Sequence, residues 1–267
     1  MRNLDRVSAC SEVHVWSVVI DAGAEIIRRL SLSLSSDEKF RLSGLQSECA
    51  RTRFILRRGI LRTLLSRYLG AGTRACDIRL SHEHAAKPRL YPEPRFLHFN
   101  SSYSGNLALY AFTEGCELGI DVEQIREHPD IHSIAESFFC PEELLKLESL
   151  TWPTRLASFF ACWTRKEAYL KATGQGLRAS LDSVQVTLLP TEPPAILDVN
   201  GSASEARLWS LCDLHPAPGY VGALALRSKR AVRMFRYITV DQLLASLPSA
   251  NMPDLDPDFG FIGCKVA

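Results

Sequence analysis

Apolar and polar residues along this chain alternate between a period of two and a period near 3.6, which predicts strands and helices in turn. Residues 13–20 form a short apolar run, interrupted by polar positions and closed by Asp21, and read as a first strand. Residues 36–42 open a helix with Ser36 as its cap and acids in the first turn. From 51 to 69 a longer helix is predicted. Its Phe54, Leu56, Ile60, Leu61, Leu64, Leu65 and Leu69 fall mostly on one side, and Gly70 ends it. Residues 82–94 read as a proline-bearing loop. Strands follow at 96–99 and 107–112 around a turn segment at 100–106, and again at 118–123. The second half repeats the order: helices at 138–150 and 154–173, the latter stopped by Gly174, then strands at 184–189, 207–211 and 220–226.

The repetition extends to individual positions. Glu38, Leu42, Leu45, Phe54 and Ile55 align without gaps to Glu143, Leu147, Leu150, Phe159 and Phe160, each displaced by 105 residues. This predicts an α+β fold of two pseudo-symmetric α/β lobes from an internal duplication, with the active site in the cleft between them. The lobes are expected at 1–115 and 116–230. Residues 231–267 are a C-terminal extension whose Pro248, Pro253 and Pro257 suggest a loosely packed end.

Composition narrows the classes. A hydrophobic share of 46% suits a globular core, and a net charge of +1 gives no bulk field toward nucleic acid or membranes. Locally the balance differs: between Arg41 and Arg95 eleven arginines and Lys87 face four acids, an excess of +8 that suits a polyanion such as a nucleotide phosphate. The eight cysteines are scattered with no metal-binding spacing, which implies reduced thiols and a cytoplasmic protein. No apolar stretch approaches the ~20 residues of a membrane span, and the N-terminal run does not read as a signal peptide.

The candidate chemistry is acidic. In Leu118-Gly119-Ile120-Asp121-Val122-Glu123 the alternation sends Leu118, Ile120 and Val122 one way and Gly119, Asp121 and Glu123 the other. Two carboxylates on one strand face repel unless a cation lies between them, and Gly119 would leave room for a ligand beside them. On the 154–173 helix, Leu156, Phe159, Phe160, Trp163 and Leu170 form an apolar stripe, and Glu167 falls within it. A carboxylate there costs several kcal/mol unless it is compensated, by Lys171 one turn on or by a metal. Asp121, Glu123 and Glu167 fit the oxygen-donor demand of Mg²⁺. Lys166 and Lys171 add cations suited to phosphate.

These residues resemble a known family. Gly119-Ile120-Asp121-Val122-Glu123 is similar to the G-[IV]-D-[IV]-E signature of 4′-phosphopantetheinyl transferases of the surfactin-synthetase type. Trp163-Thr164-Arg165-Lys166-Glu167 with Lys171 and Gly174-Gln175-Gly176-Leu177 is similar to their second, W-[ST]-x-K-E-[AS]-x-x-K and a G-x-G-L turn. Asp121 and Glu167 stand 46 positions apart, a separation similar to the family's. Lys87-Pro88 resembles part of a G-K-P motif, with Ala86 for the glycine. Phe99-Asn100-Ser101-Ser102-Tyr103-Ser104-Gly105 resembles F-N-x-S-H-S-G. Tyr103 replaces the family's phosphate-binding histidine, and a neutral phenol donates one hydrogen bond without positive charge. Arg53 is the cation that could compensate.

The resemblance spans residues 36–226 and implies the following chemistry. Phosphopantetheine moves from coenzyme A to a serine of an acyl or peptidyl carrier protein, with 3′,5′-ADP released. Asp121, Glu123 and Glu167 hold Mg²⁺. Glu123, Glu167 or a metal-bound hydroxide deprotonates the serine, and Lys171 assists the leaving group. Arg53, Lys87, Ser102, Tyr103, Lys166 and Lys171 contact coenzyme A. The partners implied are coenzyme A and a carrier of fatty acid, polyketide or nonribosomal peptide synthesis, with no nucleic acid and no membrane, and the protein acting as a monomer. The competing reading is a non-catalytic coenzyme A or carrier-binding module of the same fold, which Tyr103 favours and the retained carboxylates oppose. A different Mg²⁺-dependent phosphotransferase or nuclease is disfavoured, because no P-loop or kinase motif is present.

Overall fold

A computed structural model describes residues 12–70, 72–81, 87–92, 97–127, 130–174, 180–228, 231–237 and 239–246. Strand β1 (Glu12–Val19) is followed by three helices, α1 (Ala24–Leu32), α2 (Ser36–Ser43) and α3 (Glu48–Tyr68). The short strands β2 (Leu80–Ser81) and β3 (Arg89–Leu90) pair with each other. Next come β4 (Leu97–Ser104) and β5 (Leu107–Glu114), an antiparallel pair, with β1 antiparallel on the other side of β5. The apolar side of α3 (Leu56, Ile60, Leu61, Leu64, Leu65) packs with Trp16, Val18, Phe99, Tyr110 and Phe112 of this sheet. At Gly59 a Cβ would lie 2.7 Å from Leu30 Cβ, so only glycine lets α1 cross α3 this closely.

The second helix-on-sheet unit starts with β6 (Leu118–Gln124) and continues through α4 (Ile131–Phe138), α5 (Pro141–Glu148) and α6 (Thr154–Thr173). It proceeds through β7 (Val184–Val186), β8 (Ile196–Val199), α7 (Ala203–Ala206), β9 (Ser210–Leu214) and β10 (Tyr220–Leu226). Its sheet runs β6-β10-β9, and α6 packs on one face through Phe159, Phe160, Tyr169 and Leu170. The other face shares an apolar layer with the first sheet: Leu118, Ile120, Val122 and Leu224 join Val13, Val15, Leu107 and Leu109. The fold is thus mixed α/β. No helix among the described residues is long and apolar enough to cross a membrane.

Several boundaries differ from expectation for local reasons. The segment at 100–106 is not a turn: β4 runs on to Ser104, and the reversal is confined to Gly105 (φ 53°) and Asn106. The helix expected at 138–150 is the shorter α5, because Pro141 starts it, and extended Phe139 separates it from α4, a helix not expected from the pattern. Ser35, not Ser36, caps α2, in a capping box with Glu38. The strand expected at 207–211 shifts to β9, since Ser202 caps α7 just before it. The C-terminal segment also returns: β11 (Ala231–Tyr237) lies parallel to β1 as an edge strand, and α8 (Val240–Ser246) buries Val240 and Leu243 in the first core. Positions 247–267 and 175–179, the latter holding the expected G-x-G-L turn after Gly174, lie outside the described residues. The expectation of reduced thiols is corrected at Cys212, which is disulfide-bonded.

Candidate active site

The two sheets meet along β4 and β6, each the last strand of its own sheet. No backbone ladder joins them. Instead the side chains of alternate β4 residues accept from alternate β6 amides: Asn100 Oδ1 from Ile120 N (2.9 Å), Ser102 Oγ from Val122 N (3.3 Å) and Ser104 Oγ from Gln124 N (3.0 Å). The constant offset of twenty residues means that the strands run parallel. The period of two in Asn100-Ser101-Ser102-Tyr103-Ser104 puts exactly this polar set on one side.

The carboxylates stand on this seam. Asp121 is buried, and its Oδ1 accepts from Ser102 Oγ (2.8 Å) and from Lys171 Nζ (2.5 Å). Its Oδ2 is buried without a hydrogen-bond partner. Glu123, half-buried, accepts at Oε2 from Ser104 Oγ (2.6 Å). Burial raises its carboxyl above the usual range, the Ser104 bond partly offsets this, and the Asp121 charge adds to the rise. Glu167, also half-buried, faces the pair from α6. Burial raises it first, then the charge of Asp121, with Lys171 opposing and Glu123 adding. Among the described residues Lys171 is the cation that acts on both glutamates and pairs with Asp121, and Arg126 adds only to Glu123. One buried oxygen of Asp121 stays unpaired, an arrangement that favours an added cation.

Comparison with known proteins decides the family. Residues 117–225 match the 4′-phosphopantetheinyl transferase superfamily. Over 218 residues the chain is 38% identical to the 4′-phosphopantetheinyl transferase HetI of Nostoc sp. strain PCC 7120, covering 80% of this chain and 87% of HetI. This chain belongs to the 4′-phosphopantetheinyl transferases. It is also 35% identical over 112 residues to the transferase Sfp of Bacillus subtilis strain 168, covering 42% of this chain and 48% of Sfp. Among solved structures, holo-[acyl-carrier-protein] synthase of Thermotoga maritima aligns with 43% of this chain and 64% of its own, at 22% identity and a TM-score of 0.34, too low to bear on the assignment. The chain is accordingly an enzyme that transfers phosphopantetheine to carrier proteins, with coenzyme A as the family's substrate.

In this transferase α6 presses directly on β6. A Cβ at Gly119 would lie 2.1 Å from Ala168 O and 2.3 Å from Ala172 N, so the space that glycine opens is taken by the α6 backbone and not by a ligand. That contact brings Lys171 to Asp121. Lys166, expected on phosphate, is a correction: it is fully buried, ion-paired with Glu143 (2.5 Å), and donates to Leu181 O (3.0 Å). Its ammonium is committed because Glu143 also accepts from Cys140 N and Val186 N, and that buried carboxylate needs a counter-charge. Ser102, expected to contact coenzyme A, donates to Asp121 and accepts from Val122 N and Lys171 Nζ (3.0 Å). Its one donor and two acceptor positions are thereby filled.

Tyr103 and Ser101 point to the opposite side of β4, into a cavity of about 680 Å³ against α3. Arg53, Arg57, Arg58, Phe54 and Pro88 also line it. The Arg57 guanidinium lies 4.7 Å from the Tyr103 ring centre. Burial raises the Tyr103 phenol, whose hydroxyl donates to Ser101 Oγ (3.0 Å). Arg57 Nε and Arg58 Nη2 are buried without partners. Lys87 Nζ donates to Leu118 O at 2.5 Å, at the start of β6. Sequence reading missed Arg57, Arg58, Asn100 and Ser104. The alternating polar residues of β4 carried a signal for the last two, once that segment is a strand and not a turn.

Among the described residues no three His, Cys, Asp or Glu side chains form a ready-made metal cage. Mg²⁺, however, binds through one or two carboxylates, waters and substrate phosphates rather than an all-protein cage. The unpaired Asp121 Oδ2, together with Glu123 and Glu167, whose carboxyls its charge raises, is the kind of hard-oxygen donor set that fits.

Proposed function

We propose that this transferase uses Asp121, Glu123 and Glu167 to hold Mg²⁺ while a carrier-protein serine attacks the pyrophosphate of coenzyme A. The observation that carries the reading is the unpaired buried oxygen of Asp121 within a group of three carboxylates and Lys171. The metal, when bound, would supply charge neutralisation of the pyrophosphate. The rest belongs to the chain's own side chains. Glu167, with its raised carboxyl and partial exposure, accepts the proton of the serine hydroxyl, and Glu123 is held beside it. The serine oxygen bonds to the phosphorus of the phosphopantetheine phosphate as the bond to the 3′,5′-ADP oxygen breaks. Lys171 supplies positive charge to that leaving oxygen.

The arginine cavity takes the 3′-phosphate end of coenzyme A in this reading. Arg57 and Arg58 offer unpaired N–H groups, Arg53 lies at the rim, and Tyr103 adds a phenol beneath the Arg57 cation. The charge absent from Tyr103 is thus supplied by α3. Lys87 does not line that cavity, although Pro88 does, and its ammonium donates to Leu118 O instead.

The two lobes descend from a duplication in this reading. Glu38 of α2 and Glu143 of α5, 105 positions apart, each reach back to the backbone amide at their helix start. Each also pairs with a cation on the next long helix, Arg62 and Lys166 respectively.

The test is the intact mass of an apo carrier protein incubated with this protein, coenzyme A and Mg²⁺, with EDTA and Glu167→Ala as controls. The expected result is one added phosphopantetheine, absent in both controls. Arg57→Ala should raise KM for coenzyme A by roughly 10- to 100-fold, the loss of a hydrogen bond to a charged group, and leave KM for 3′-dephospho-coenzyme A unchanged. Coenzyme A binding without transfer to any carrier would favour the binding-module reading.

A further inference from the structure

Ser104 has no role in the residue assignments above, yet its hydroxyl joins both sides of the seam. It accepts from Gln124 N (3.0 Å) and donates to Glu123 Oε2 (2.6 Å). Ser102 repeats the pattern two residues earlier with Val122 N and Asp121 Oδ1. Asn100, one carbon longer and opposite no carboxylate, makes only the backbone half of the arrangement. Each serine therefore substitutes for the missing β-ladder and fixes the carboxylate one residue before the amide it caps.

Geometry explains why serine suits this place. Two sheet edges facing each other leave unpaired N–H groups that cost free energy when buried. A short side chain carrying an acceptor fills the gap between strands too far apart for backbone pairing. A hydroxyl has a donor left over after accepting, and on this strand the nearest acceptor is a carboxylate. A longer amide at 104 would hold the backbone but displace Glu123.

The geometry points to Ser104 as the positioning residue for Glu123, so that the β4 side-chain ladder, through Ser102 and Ser104, sets the orientation of both β6 carboxylates in the site. The inference rests on the functional reading above for its kinetic consequence, but its structural part can be read without activity. In this reading Ser104 acts through Glu123, the group its hydroxyl holds.

The experiment compares Ser104→Ala and Ser104→Thr in the full chain, by transfer kinetics and by NMR exchange of the Gln124 amide. Losing a hydrogen bond to a charged group predicts a fall in kcat of roughly 10- to 100-fold for Ser104→Ala, with KM for coenzyme A unchanged. The Gln124 amide should exchange faster in that variant. Ser104→Thr keeps the hydroxyl, and should restore most of kcat together with amide protection. A Ser104→Ala protein with wild-type kcat, or one whose loss is confined to KM, overturns the proposal. So does a Gln124 amide equally protected in both variants. A wild-type protein that transfers nothing refutes the functional reading instead, and the amide exchange then still decides the ladder.

Discussion

At the scale of single residues, the site is arranged against the stability of the protein alone. Glu123 and Glu167 both have raised carboxyls, with burial the first cause and mutual repulsion with Asp121 contributing. A carboxyl raised in the folded state binds its proton at a pH where the unfolded chain has released it. Its ionisation therefore weakens folding at neutral pH. The loss is relieved as pH falls through the folded value and is gone below the unfolded one, about 4.3 for Glu. Glu167→Gln should accordingly melt higher than wild type at pH 7 in metal-free buffer, and the advantage should shrink toward pH 4. Differential scanning calorimetry of the pair across that range measures it, and taking the difference cancels groups elsewhere. The same variant should lose roughly 10²- to 10³-fold in kcat, comparable with removal of a preorganised electrostatic group. A variant that is no more stable at pH 7 would show that Lys171 already neutralises the cluster.

At the scale of elements, α6 turns consecutive residues to opposite duties. Lys166 faces α5, where Glu143 satisfies the backbone amides of Cys140 and Val186, and Glu167 faces β6. Lys166→Met should therefore cost about 3–5 kcal/mol, because it strands a buried carboxylate. The coenzyme A KM of the folded fraction should stay unchanged. Urea unfolding and initial rates read the two effects separately, and a raised KM without destabilisation would return Lys166 to the phosphate. This division was only half visible in the chain. Helical spacing placed α6 and α3 and set Glu167 apart from its apolar neighbours, because period and composition are local. Which of two adjacent lysine and glutamate residues is buried depends on α5, whose Glu143 is distant in sequence. Likewise β6 is legible from its alternation, whereas only the start of β4 is: its second half, 100–104, reads as a turn because Asn, Ser and Gly favour turns locally. Its polar residues are strand residues here because β6 presents amides to them. The arginines of the cavity were visible as charge, but only the crossing of α3 over β4 selects Arg57 and Arg58 from eleven.

At the scale of the whole molecule, the C-terminal return ties the two units together. Strand β10 belongs to the second sheet, yet β11 pairs in parallel with β1, and α8 inserts Val240 and Leu243 among residues such as Trp16 and Val18. This segment is not a detachable extension of the C-terminal unit, because its strand partner β1 and the core that takes Val240 and Leu243 lie in the N-terminal one, while Val232 joins the apolar layer between the two sheets. Ending the chain at residue 230 would bare the outer edge of β1, a strand buried on both faces, and an exposed apolar edge promotes association. It would also remove two fully buried side chains, each worth roughly 1.5–3 kcal/mol. The truncated protein should therefore melt well below the full chain or aggregate, although it retains all three carboxylates and Lys171. A second shortened protein, ending at 246, keeps β11 and α8 and should melt well above the 230 form. Thermal melts and transfer assays of the two distinguish the contributions. Equal stability of the 230 and 246 forms would show that the β1–β11 pairing contributes little to the N-terminal sheet. That sheet carries β4, and through β4 the serines that orient Asp121 and Glu123, so loss of the return strand should disturb the site from the far side of its own sheet.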